Sequence, residues 1–180
     1  MPLINVTLPD GTVNEYASGI TCAEVITDAL GRKHGCLAAR VDGAECDMST
    51  PLEENCSVEG ILSTSDEGIH ILRHSAAHLL AQAVTALYPG AKPTIGPAID
   101  RGFYYDFAME AITESDLKPI QKKMQELARK NFTVERVELS ESELQDHFAD
   151  NPYKLEIIND KIEDGGGSTI YKQDEWYDLC

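Results

Sequence analysis

Cations are scarce in these 180 residues: 15 Lys and Arg stand against 31 Asp and Glu, a net charge of −16. Broad, non-specific binding of nucleic acid comes from neutralising phosphates with Lys and Arg, so that class is excluded and any nucleic-acid contact must be local. No apolar run approaches the roughly 18–20 residues that cross a bilayer. The start, MPLINVTLPDG, lacks the basic, apolar and small-residue regions of a signal peptide. Cysteine is sparse and unpatterned. The five lie at 22, 36, 46, 56 and 180 and never form CxxC, which suggests neither a disulfide framework nor a zinc knuckle. These absences lead to the expectation of an intracellular, cytoplasmic chain with no membrane partner. Prolines are few, and there is no internal repeat or low-complexity tract. What remains is globular: 42% hydrophobic residues in a chain long enough for one large domain or two small ones.

Residues 1–62 have a β-rich rhythm. LINVTLPDGTVNEY reads as strand, Pro-Asp-Gly turn and strand. Thr21 then stands as an N-cap with Glu24 at the capping-box position, opening the helix CAEVITDAL that Gly31 stops. Short strand-like runs follow in CLAARVDG, ECDMSTPL and NCSVEGIL. Strands, one helix and more strands in about 60 residues suggest a small β-grasp, ubiquitin-like module.

STSDEG (63–68) reads as the junction to a second part, 63–180. A long helix is expected from about Ile69 to Leu87, then two strands around an Asp-Arg-Gly turn in TIGPAIDRGFYYDFAM. Ser115 is a candidate cap for the helix 115–131, which carries Lys118, Lys122, Lys123, Arg129 and Lys130. Its ordinary reading is a solvated face with i,i+4 charge pairs such as Glu126–Lys130. FTVERVEL alternates as a strand, a short acidic helix starts near Ser140, and Asn151 with Pro152 opens another. EDGGGS reads as a loop and TIYKQDEWYDLC as a final strand. The mixture without regular βα alternation implies an α+β class with a mixed or antiparallel sheet.

Two histidines raise the chemical question. His74 and His78 stand four residues apart in HILRHSAAHLLAQAV, so on a helix both point into one pocket. Such a pair can hold a metal, act as base and electrophile on one substrate, or be satisfied polar residues at a core edge. The glutamate of HExxH is missing, which removes the zinc-protease reading. His70, one turn earlier, reads as a helix-start residue.

RHSAAHLLAQAVTALYP, IGPAIDRGFYYDF, NPYKLEII and YDLC, in that order, resemble the N-terminal region of bacterial-type threonyl-tRNA synthetases. The likeness runs over residues 1–180. It implies a ubiquitin-like TGS module at 1–62 and an editing domain at 63–180, which hydrolyses the ester of serine mistakenly joined to tRNA(Thr). The family combines HxxxH with a downstream CxxxH. This sequence supplies His74, His78 and Cys180 and ends there, so the resemblance implies an N-terminal fragment with a truncated editing domain. ATP-dependent threonylation, with Mg and a zinc ion in the synthetic domain, would belong to the parent enzyme, and so would dimerisation. The implied partners are the acceptor end of tRNA(Thr) carrying serine and the remaining synthetase domains.

The chemistry follows from one methyl group. A synthetic site rejects serine by only about 1–3 kcal/mol, or roughly 10–200-fold, so a second, smaller sieve is needed. The ester is already activated, and a positioned water with acid–base help suffices. By the resemblance, His74 activates or positions the water or contacts the terminal ribose, and Lys154 faces the developing oxyanion or orients water. His78 and Cys180 line the pocket, Asp178 meets the serine ammonium or hydroxyl, and Tyr105, with Tyr104, meets the terminal adenosine. The backbone at Gly96 forms the wall against the methyl. The residues also read as a solvated lysine, a core aromatic strand and a small buried cysteine. No metal is expected, although two histidines and a cysteine suit zinc. A non-catalytic RNA-binding module and a zinc-dependent, alanine-type trans-editing hydrolase are the alternatives.

Overall fold

Ile4 and Val6 alternate with exposed neighbours in strand β1 (Leu3–Thr7), which turns through Pro9-Asp10-Gly11 into the antiparallel β2 (Val13–Ala17). Gly11 takes φ 84°, and Asp10 Oδ1 accepts the Thr12 amide at 2.9 Å, closing the turn. The computed structural model describes residues 2–163 and 169–180; the glycine-rich stretch read as a loop lies, from 164 onward, outside them. After β3 (Ile20–Thr21), helix α1 (Cys22–Leu30) starts on the expected capping box and stops at Gly31. Strands β4 (Cys36–Val41) and β5 (Ala44–Cys46) form a hairpin whose turn residues, Asp42 and Gly43, take φ 49° and 87°. Then come β6 (Pro51–Leu52), which pairs with β3, and β7 (Cys56–Leu62). The sheet order is β2-β1-β7-β4-β5, with β1 and β7 parallel at its centre. Val25 and Ile26 of α1 pack with Ile4, Val6, Ala39 and Val58 in one apolar core, the β-grasp arrangement read from the sequence.

Helix α2 (Asp66–Leu87) starts three residues before the expected Ile69. Ser65 is its cap, accepting the Gly68 amide at 3.1 Å, and Asp66 and Glu67 provide first-turn acid. The chain divides into two compact units, Met1–Leu72 and Arg73–Cys180, with the division inside this helix. Its first turn is held by the first unit. Arg40 on β4 pairs with Glu67 and with Glu59 on β7. A Cβ on Gly68 would stand 1.9 Å from the Leu62 carbonyl oxygen, so only glycine permits this approach.

In the second unit, β9 (Ala98–Ile99) and β10 (Gly102–Phe103) flank the Asp100-Arg101 turn, while β8 (Lys92–Pro93) pairs with β11 (Phe107–Ala108). Helix α3 (Glu114–Lys130) is capped by Thr113, not Ser115: the Thr113 amide and hydroxyl both donate to Asp116 Oδ2 at 2.7 Å. Strand β12 (Val134–Glu138), helix α4 (Glu141–His147) on its Ser140 cap, and α5 (Pro152–Glu163) follow. The expected final strand is a hairpin, β13 (Thr169–Gln173) and β14 (Trp176–Leu179), because Asp174 adopts a left-handed φ of 57°. Strands β12-β13-β14 form an antiparallel sheet. No described helix is long and apolar enough to cross a membrane.

Candidate functional site

His74 and His78 leave the same face of α2, and Gln82 continues their row by one turn. His74 is half-buried, whereas His78 and Gln82 are each 6% exposed. Strand alternation brings the other wall. Tyr177 and Leu179 enter the core of Leu144, Phe148, Ile158 and Ile170, so Trp176, Asp178 and Cys180 leave the opposite face of β14. There Cys180 Sγ lies 3.4 Å from His74 Nε2, and the Trp176 ring meets His78 edge-on at 6.2 Å. The two imidazoles join through their Nε2 atoms at 3.0 Å.

Lys154 arrives from the start of α5. Asn151 Oδ1 caps that helix, accepting the Tyr153 and Lys154 amides at 3.2 and 3.4 Å, and its Nδ2 donates to the Pro93 carbonyl at 2.8 Å. This fixes a cation in a first turn, where the helix dipole disfavours it. Burial adds to the cost, since Lys154 is 3% exposed. Asp178, fully buried, supplies the counter-charge: its Oδ1 lies 2.6 Å from Lys154 Nζ and also accepts the Leu179 amide at 2.8 Å. Tyr105 closes the group, donating its hydroxyl to Asp178 Oδ2 and accepting from Lys154 Nζ at 3.1 Å. Both carboxylate oxygens are thus engaged. One Lys154 N–H has no partner among the described residues.

These contacts set the protonation states. Burial, with the Lys154 and His74 charges, pushes the His78 pKa down to about 4 against the opposite pull of Asp178, so the imidazole is neutral at pH 7. His78 Nδ1 is 3.3 Å from Asp178 Oδ2, off the line of a hydrogen bond but close enough for the carboxylate to favour the Nδ1–H tautomer. His78 Nε2 is then an acceptor toward His74. Burial, with the Asp178 charge beside it, holds the Tyr105 phenol far above its ordinary range, keeping it a donor.

The structure brings His74, His78, Lys154, Asp178, Cys180 and Tyr105 into one group, with Gly96 behind the tyrosine. A Cβ on Gly96 would stand 2.1 Å from Tyr105 Cδ2, so this glycine is a seat for the ring. Phe107 stacks on Tyr105 at 4.9 Å. Tyr104 stays outside the group, 46% exposed. Trp176 belongs to the group and Gln82 lies on its helix row, neither carrying any motif. Spacing finds them: Trp176 is two residues before Asp178 on a strand, and Gln82 is four after His78 on a helix.

His74, His78 and Cys180 each offer a donor atom, all within 4.8 Å of one another. Tetrahedral zinc with nitrogen and sulfur ligands spaces its donors by roughly 3.3 Å (N to N) and 3.6 Å (N to S); the His74–His78 and His74–Cys180 separations come within a few tenths of an ångström of these values.

Residues 4–61 match the TGS domain family. The chain is 42% identical over 183 residues to a threonine–tRNA ligase of Streptococcus suis (strain 05ZYH33) and over 182 residues to threonine–tRNA ligase 1 of Bacillus subtilis (strain 168). A threonine–tRNA ligase of Streptococcus pneumoniae (strain Hungary19A-6) is also 42% identical. Each alignment takes in 99% of this chain, which spans 28% of the relative's length. With a TGS-family match in its first unit and this identity sustained through its second, the chain is similar to the N-terminal part of threonine–tRNA ligases.

Proposed function

We propose that the second unit is an aminoacyl-ester hydrolase that removes serine from mischarged tRNA(Thr), within a protein whose other parts join threonine to that tRNA using ATP. The observation that carries this is the partly buried group of two histidines, a lysine paired with an aspartate, and a cysteine. His74, at the more open end of the histidine row, takes the proton of the attacking water and is oriented by the neutral His78. The third Lys154 N–H faces the oxyanion that develops on the ester carbonyl. Asp178 holds Lys154, Tyr105 and the His78 tautomer, and meets the serine through them. Because the hydroxyl and ring of Tyr105 are already packed, the exposed Tyr104 is the ring left to receive the terminal adenine. Cys180 and Trp176 complete the wall.

The test is release of serine from seryl-tRNA, with His74→Ala and Lys154→Ala expected to slow it at least 100-fold, in the range of acid–base and oxyanion contributions. Release at the wild-type rate in both variants would sink the assignment. A positioned water suffices for an activated ester, so no metal enters these steps. The donor spacing of His74, His78 and Cys180 favours one second reading, a zinc site of the alanine type. There the ion would lower the pKa of a bound water. Zinc at near one equivalent after dialysis of the purified protein would move the assignment to that reading.

A further inference from the structure

Helix α3 buries little. Ile120 and Leu127 are its buried residues, and Ile120 with the half-buried Met124 packs against Leu80 and Val84 of α2 and against Phe107. Tyr88, just after α2, donates its hydroxyl to Asp116 Oδ1 at 2.9 Å, pinning the first turn of α3. The helix is thus fixed to the element that carries His74 and His78, and to the phenylalanine that stacks on Tyr105.

At 100° per residue, Lys118, Lys122, Gln125 and Arg129 form one row within a sector of about 60°, opposite Ile120 and Leu127. All four are exposed. The row is about 17 Å long at 1.5 Å per residue. The other cations of the helix share one carboxylate: Glu126 takes Lys123 at 3.1 Å and Lys130 at 3.9 Å. Lys118, Lys122 and Arg129 make no ion pair within 4.0 Å among the described residues, although Lys122, one turn from Glu126, acts on that carboxylate at longer range. Glu114, at the N-terminal end, is the one acid in line with them. In a chain of net charge −16, a row of three cations without close ion pairs, held on an anchored helix, is a local exception. Its spacing along an edge suits a linear polyanion, and the negative remainder of the surface repels one elsewhere.

We infer that the Lys118–Lys122–Gln125–Arg129 row of α3 is a contact surface for a phosphodiester backbone, that of the RNA whose ester the second unit cleaves. The inference rests on the aminoacyl-RNA reading above. Phosphate contacts of this kind position a strand without reading its bases, as a site acting on the strand's end requires. Gln125 adds a neutral donor in the middle of the row.

The experiment measures binding of an unacylated tRNA(Thr) transcript between about 50 and 200 mM salt, for the wild type, Lys118→Gln/Lys122→Gln/Arg129→Gln and Lys123→Gln/Lys130→Gln. Each phosphate contact contributes about 0.7–0.9 to the slope of log K against log salt, so the triple variant should lose about 2–3 from that slope and the double variant less than 1. Cleavage of seryl-adenosine should be unchanged in the triple variant, while kcat/KM on seryl-tRNA falls. A triple variant with the wild-type slope, or a double variant that loses as much, overturns the surface. So does a loss of polyglutamate binding with tRNA binding intact, which would assign the row to an acidic protein partner. If the wild type cleaves neither ester, the hydrolase reading fails while the salt slopes still decide the row.

Discussion

The two units bury different things. Among the described residues, every buried polar or charged side chain, namely His78, Gln82, Lys154 and Asp178, lies in the second unit. The first unit buries Ile4, Val6, Cys22, Val25, Ile26, Ala39, Leu52 and Val58 in one apolar core. An apolar core gains free energy with each side chain it covers. A buried ion pair gains little over an apolar replacement, yet removing one partner costs about 3–5 kcal/mol because the other charge is left without compensation. The same element type serves both ends: β7 turns Val58 and Ile61 inward, whereas β14 turns Asp178, and leads Cys180 just after it, toward the histidines. The first unit is a scaffold in energetic terms, and the second carries groups whose presence stability alone does not explain.

The sharpest way to break that comparison is to remove the ion pair in two steps. Asp178→Leu or Lys154→Met alone should destabilise the second unit by about 3–5 kcal/mol. The double variant should recover most of that, or exceed the wild type, while ester cleavage stays lost. Hydrogen exchange of the β13 and β14 amides would read the stability unit by unit. A double variant as unstable as either single would mean that the pair is a stabilising element and that the contrast is false. The matching change in the first unit is Ile26→Ala, 2% exposed, which should cost about 2–5 kcal/mol through lost burial and a cavity. It should loosen the β1 and β7 amides and leave cleavage per folded molecule intact; a fall in kcat would tie the scaffold to the chemistry.

The first unit was largely legible in the sequence because its signals are local. A Pro-Asp-Gly turn, a Thr21–Glu24 capping box and a Gly31 stop each act within a few residues, and each stands where the pattern put it. The helix row of His74 and His78 was legible for the same reason. What the local pattern could not show was partnership. Lys154 and Asp178 are 24 residues apart on different elements, and nothing near either residue announces their 2.6 Å contact. The cap of α3 was misplaced because Thr113 and Ser115 both suit the role, and the choice fell to Asp116, which stands three residues after Thr113. The β13–β14 turn was missed because it uses Asp174, not glycine, for its left-handed residue. Tyr105 and Gly96 matched the family pattern, but their mutual packing appears only when the ladders around β8 and β11 bring them together.

A smaller effect comes from pH. His78 binds a proton near its ordinary pKa of about 6.5 when unfolded but only near 4 when folded, so between these values the unfolded state holds more protons. Stability should be full above about pH 6.5 and fall as pH drops toward 4, by up to about 3 kcal/mol, with no further loss from this group below that. Exchange of the β14 amides at pH 7 and pH 4.5 measures it, and His78→Gln should flatten the dependence. An unchanged slope in that variant would place the acid sensitivity elsewhere. Trp176, the one tryptophan in the chain, reports the same titration through its fluorescence because its ring lies against His78.

The smallest expected effect is at Gln82, and it decides on which side of the comparison this residue falls. Its Oε1 is buried without a hydrogen-bond partner among the described residues. An unpaired buried acceptor costs about 1–3 kcal/mol, and a side chain of similar shape without the acceptor removes that cost. Gln82→Met should therefore be neutral or stabilising by about 1 kcal/mol, with cleavage unaffected. The opposite result, a loss of about 1 kcal/mol or more together with slower cleavage, would mean that the amide holds a water belonging to the site. Gln82 would then be the third polar member of the histidine row, and the functional face of α2 would extend a full turn below His78.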